Sequence, residues 1–153
     1  LLLAVQALLA TGLLSAPAHG QRRAAQSTEV DAAPVYKDYR GIQIGMLADD
    51  VRKKLGTPKD KGDDQDFFVF DNEKETAQVV YDKAHKVVTV SVDFQTGASG
   101  IPVAKAVVGS DIPPESDGSM HLMVRYPKAG YWVSYSRTAG TDALISVTIQ
   151  KMD

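Results

Sequence analysis

The stretch Val87, Val88, Thr89, Val90, Ser91, Val92, Asp93, Phe94 decides the fold. Its apolar residues recur at every second position, with Val88, Val90, Val92 and Phe94 on one side and Thr89, Ser91 and Asp93 on the other. Successive strand side chains point to opposite faces, so this pattern predicts a strand with one face in a core and one in water. One-sided burial belongs to antiparallel sheets, because parallel sheets are covered on both faces and read as unbroken apolar runs. Just upstream, residues 83–86 read as a turn, and 76–82 (TAQVVYD) as a strand that groups Ala77, Val79 and Tyr81. Residues 67–70 (FFVF) read as a shorter aromatic strand, preceded by a polar, solvated loop, PKDKGDDQD. Before that loop the period lengthens. Leu47, Val51 and Leu55 recur every four residues, which predicts one face of a short helix. Asp49 and Asp50 in its first turn and Arg52, Lys53 and Lys54 in its last suit the helix dipole, while Gly56 and Pro58 end it.

The same order of patterns runs again downstream. In residues 101–109, Pro102 suits a first helical turn, Val103 and Val107 form an i, i+4 stripe, and Gly109 is a stop. Three alternating segments follow a loop that holds Pro113 and Pro114. In 119–126, Met120, Leu122, Val124 and Tyr126 oppose His121, Met123 and Arg125. In 130–137, Tyr131, Val133 and Tyr135 share a side, and in 143–150 Ile145, Val147 and Ile149 do. The spacing from Gly56 to Tyr81 nearly matches that from Gly109 to Tyr135, which points to a duplication. The expectation is an α+β fold in which a short helix followed by a three-stranded antiparallel sheet is repeated twice, as units 39–98 and 99–153. The alternative is a single six-stranded sheet with two unrelated helices.

Residues 1–14 (LLLAVQALLATGLL) are almost wholly apolar and are followed by small residues at Ala16 and Ala18. Fourteen helical residues span about 21 Å, short of a bilayer core of about 30 Å. An apolar run before a small-x-small site predicts a signal peptide, 1–18, cleaved after Ala18, with its basic start lying ahead of Leu1. A buried N-terminal helix is the plainer alternative. Arg22 and Arg23 follow the apolar run, so they make no twin-arginine signal. Residues 19–38 show neither period and read as a flexible segment, or one that orders on a partner. The expected address is the periplasm or the exterior, with no transmembrane helix in the mature chain. The chain contains no cysteine, which excludes disulfides, thiolate metal sites and a lipidated cysteine, so a lipoprotein is not expected.

Gly45, Met46, Val51, Leu55, Gly56 and Pro58 carry a resemblance. This run resembles the BamE-like (SmpA/OmlA) family, whose pattern is Gly-Met-Thr, a helix bearing Val and Leu, Leu-Gly-x-Pro, then three antiparallel strands. The tandem arrangement is similar to the β-lactamase inhibitory protein fold. The resemblance covers residues 41–95 closely and 99–151 by pattern. It implies a small cell-envelope module that binds other proteins, with the outer-membrane assembly complex as a possible partner. The chain departs from the family in lacking the lipidated cysteine and in placing Leu47 where a threonine would cap the helix. The matched residues are structural and carry no chemistry.

Motifs for catalysis are missing. The three histidines, His19, His85 and His121, have no metal-ligand spacing. Ser119 and His121 could share a strand face, but no orienting carboxylate or oxyanion site accompanies them. Asp63, Asp64 and Asp66 are dense enough to suggest Ca²⁺, yet the glycine precedes them and no closing glutamate follows at the required distance. With 17 basic and 19 acidic residues, the net charge of −2 argues against nucleic acid as a partner. What remains is surface: the segment RYPKAGYWVSYSR is dense in Tyr, Trp and Arg, the residue types of interface hot spots. The candidate protein-binding residues are Met123, Arg125, Tyr131 and Trp132. The expectation is a non-enzymatic module without cofactor or metal. Its rivals are a small extracytoplasmic hydrolase or ligand-binding protein using Ser119, His121 and the acidic loop, and an inhibitor of a secreted enzyme.

Overall fold

The computed structural model describes residues 27–153, so the expected signal peptide, 1–18, and residues 19–26 lie outside the described residues. The alternating stretch forms a strand at the middle of a single sheet. In chain order the elements are β1 (Ser27–Glu29), α1 (Ala48–Leu55), β2 (Asp60–Lys61), β3 (Gln65–Phe70), β4 (Glu75–Tyr81), β5 (Val87–Phe94), α2 (Ala104–Val108), β6 (Met120–Tyr126), β7 (Tyr131–Arg137) and β8 (Ile145–Lys151). The strands lie in the order β1-β6-β7-β8-β5-β4-β3-β2. All neighbours are antiparallel except β1, which runs parallel to β6, so the sheet is mixed.

This corrects the expected fold. The chain does not form two helix-plus-three-strand units. It forms one sheet-dominated body of eight strands with helices of only 8 and 5 residues. The joint is the β5–β8 ladder, which runs from Thr89 opposite Gln150 to Phe94 opposite Ile145. Left apart, each block would present unpaired N–H and C=O groups along that edge and would enclose only a marginal core. Pairing β5 with β8 removes both problems. The six strands of the alternative reading are all present, and the short edge strands β1 and β2 add to them. Neither edge strand has an alternating apolar pattern to announce it.

One face of the sheet carries the core. Phe68, Val79, Val90, Val92, Val133, Val147 and Ile149 are almost fully buried, together with Ile42, Val51 of α1 and Val107 of α2. Both helices therefore pack on this inner face. The strand parities predicted for β4 and β6–β8 hold, but β5 departs at its start. A register shift sets Tyr81 opposite Val87, although Val80 is still opposite Thr89. Val88 is the extra residue of this bulge, so Val87 is buried in its place.

The first helix also departs in detail. Leu47 precedes it as N-cap, with extended backbone (φ −72°, ψ 144°) and no side-chain capping bond, and is 49% exposed. The buried stripe is Ala48 and Val51, with Leu55 half-buried. The Ala48 amide is satisfied by the His85 carbonyl at 2.9 Å. Gly45, at φ +86°, donates its amide to Val87 across the start of β5 (2.8 Å). Gly56 ends the helix at φ +88°, ψ −158°, a region open essentially only to glycine.

Two carboxylates lie inside the core layer. Asp66 is 0% exposed and accepts from Arg52 Nε (2.8 Å), Arg52 Nη2 (3.1 Å) and the Tyr81 hydroxyl (2.7 Å). Glu75 accepts from the Tyr39 hydroxyl (2.6 Å) and from Arg40 Nε (3.2 Å) and Nη2 (2.8 Å). The first cluster fastens α1 to β3 and β4, and the second fastens the chain ahead of α1 to β4. The loop PKDKGDDQD is thus not wholly solvated, because its last residue is a core group. Burial and these hydrogen bonds raise the Tyr39 and Tyr81 hydroxyls well above the ordinary phenol range. Among the described residues, no helix is long and apolar enough to cross a membrane.

Candidate functional site

The strand parity that buries the valines of β5 turns Thr89, Ser91 and Asp93 to the opposite, outer face. The ladders align this face into rows across the sheet. One row runs Glu29, Arg125, Trp132, Gln150, Thr89. The next runs Ser27, Met123, Ser134, Thr148, Ser91, Gln78, Phe67. A third runs His121, Ser136, Ser146, Asp93, Thr76. Residues directly opposite on neighbouring strands touch side by side, so each row is a continuous strip of side chains. Neither helix lies over these rows, since both pack against the inner face.

The rows are mostly hydroxyls and amides. Ser91 and Thr148 are joined by a 3.0 Å hydrogen bond across β5 and β8, Gln78 donates to Gln65 at 2.8 Å, and the Ser146 hydroxyl donates to Asp93. These contacts hold the centre of the face in place, and rigid polar groups bind with little ordering cost. Trp132 is half-buried between exposed Arg125 and half-buried Gln150. Arg125 forms no ion pair or cation–π contact among the described residues. The other three described arginines are all anchored: Arg40 on Glu75, Arg52 on Asp66, and Arg137 on the Gly118 and Gly140 carbonyls.

Of the four residues expected to bind a partner, the structure brings Met123, Arg125 and Trp132 together on the outer face. Tyr131 is separated from them. It lies on the inner face, tilted against Tyr126 with ring centroids 6.3 Å apart, as its alternation with Val133 and Tyr135 requires.

The residues considered for catalysis do not converge. The Ser119 hydroxyl donates to Asp117 at 2.6 Å, and that bond holds the Asp117 carboxyl below its usual range. His121 sits on β6, and its Nε2 is shielded from water without a hydrogen-bond partner. The acidic loop is at the other end of the sheet, between β2 and β3. There Asp63 lines a cavity of about 420 Å³ with Arg52, Lys61 and His85 beside the start of α1. Asp66 is occupied by Arg52 and Tyr81. Among the described residues, no group of three or more His, Asp or Glu is placed to hold a metal ion.

Two buried acids escaped the sequence-based expectations, although each stands in the inward register of its strand. Asp66 falls in the same alternating register as Phe68 and Phe70, which places it on the inner face. Glu75 stands at the head of the strand whose inward residues are Ala77, Val79 and Tyr81. The outer face as a whole is a product of strand order, which brings β7, β8 and β5 side by side. Searches of family models, curated proteins and solved structures found no match to this chain.

Proposed function

We propose that this chain is a periplasmic or secreted protein-binding module that performs no catalysis and recognises its partner through the outer face of its sheet. The observation that carries this reading is the pairing of Trp132 with Arg125, which has no side-chain partner among the described residues, on a face that neither helix covers. Tryptophan and arginine dominate binding hot spots because each combines a large apolar area with directed hydrogen-bond donors. The surrounding hydroxyls and amides make a polar rim that can bond to a partner directly or through water. A place in the cell envelope rests on the signal peptide expected at 1–18 and on the resemblance of residues 41–95 to BamE-like proteins. The test is a double replacement, Trp132→Ala with Arg125→Ala, assayed by capture from envelope extracts beside the unaltered chain. Both positions lie outside the core face, so the variant should keep the circular dichroism of the parent and lose capture. Equal capture by the folded double variant rejects the reading. Recovery of the outer-membrane assembly complex with the parent chain would support the envelope role, and its absence from the captured material counts against that role.

A further inference from the structure

We infer that Arg125 is a carboxylate receptor, so that the partner of the outer face is a protein surface that sets an acidic side chain beside Trp132. This inference rests on the protein-binding reading and names the chemistry of the partner. Three described arginines are engaged with internal acceptors, whereas Arg125 is exposed and its donors have no acceptor among the described residues. Glu29 lies opposite on β1, but the two form no ion pair. A guanidinium is a planar fork of donors whose geometry matches a carboxylate bidentately. Trp132 opposite it on β7 supplies an apolar wall that limits water around the charged contact.

The rest of the face argues for a single carboxylate over a polyanion. Apart from Arg125, the three rows hold no lysine or arginine; they hold hydroxyls, amides, Trp132, Met123, Phe67, His121 and the acids Glu29 and Asp93. A nucleic acid or polyphosphate needs several cations along its path. The complement of this face is therefore a mainly neutral surface with one acid positioned over β6 and β7.

Trp132 is the sole tryptophan of the chain, so its emission reports on this site alone. An end-blocked peptide with a single glutamate among glycines and serines, titrated at low ionic strength, should change Trp132 emission and saturate, whereas the same peptide with glutamine in its place should not. Arg125→Gln should weaken the apparent affinity by about tenfold, the loss expected when charge-assisted bonds are removed. Arg125→Lys, which keeps the charge but loses the fork, should fall between the two. No emission change with the single-glutamate peptide, or an equal response in Arg125→Gln, overturns the inference. So does tighter binding of inorganic phosphate than of that peptide, which would make the site a phosphate receptor. Partner capture separates this inference from the reading beneath it. Capture kept by Arg125→Gln but lost by Trp132→Ala overturns the carboxylate receptor alone, and capture kept by both overturns the protein-binding reading.

Discussion

Replacing Asp66 by Asn should destabilise the protein by about 3 kcal/mol, at the low end of the range for breaking a buried ion pair. Asp66 is fully buried and takes three short bonds, two from the Arg52 guanidinium and one from the Tyr81 hydroxyl. The amide keeps the shape of the carboxylate but loses its charge. It also turns one acceptor into a donor that faces the donors of Arg52 or Tyr81. A bond to a charged group contributes about 1.5–3 kcal/mol, and a buried donor left without an acceptor adds its desolvation cost. The Arg52 side chain is 22% exposed and can turn toward water, which keeps the loss from reaching the upper limit. For a chain of this size each kcal/mol moves Tm by about 2–4 °C, so the expected fall is about 6–12 °C. Urea unfolding followed by Trp132 emission measures the loss, and an unchanged m value shows that only stability has moved. Joint replacement, Arg52→Met with Asp66→Leu, should recover much of the loss because no unpaired charge remains inside. A loss below about 1 kcal/mol for Asp66→Asn would mean that the cluster is not what fastens α1 to the sheet, and the reasoning would fail.

Leu47→Thr should stabilise the protein by about 1 kcal/mol, since the N-cap has suitable extended geometry and no side-chain bond at present; unchanged or lower stability in urea would refute this. Alkaline pH should unfold the chain earlier than ordinary phenols would allow. The Tyr36 phenol is pushed up to about 12 by burial, then by the charges of Asp38 and Glu75, and Tyr39 and Tyr81 are raised in the same direction. Phenols of the unfolded chain ionise near 10, so above about pH 10 the folded state holds more protons and stability falls as pH rises. Their contribution is complete below that pH. Stability measured from pH 8 to 11.5 should be level and then decline, and Tyr81→Phe should make the decline shallower. A level profile to pH 11.5 would contradict the burial of these hydroxyls.

Much of the local structure was legible because it depends on neighbours in sequence. Alternation located β4 to β8 and the longer part of β3, and it assigned the inward residues of β6, β7 and β8. Gly56 marked the end of α1. Legibility failed where a long-range partner decides. Leu47 fits the four-residue stripe, yet it pairs with Lys86 in an isolated bridge and so stands outside the helix. Val88 fits the alternation of β5, yet the bulge opposite Val80 and Tyr81 hands its place to Val87. The candidate site divides in the same way. Arg125, Met123 and Trp132 share a face by parity, whereas Tyr131 was included for its composition and its own parity turns it inward.

The amino-acid sequence by itself determined which of the longer segments extend, which side of most of them is apolar, and that the chain carries no cysteine chemistry, because periodicity and composition act over a few residues and need no tertiary partner. Tertiary structure alone decided that the strands form one sheet joined at β5 and β8, that β1 joins β6 in parallel, that Asp66 and Glu75 are held inside by Arg52 and Arg40, and that neither helix covers the outer face. Each of these results depends on which edges meet and which charges find partners, and those pairings are set by packing between segments far apart along the chain.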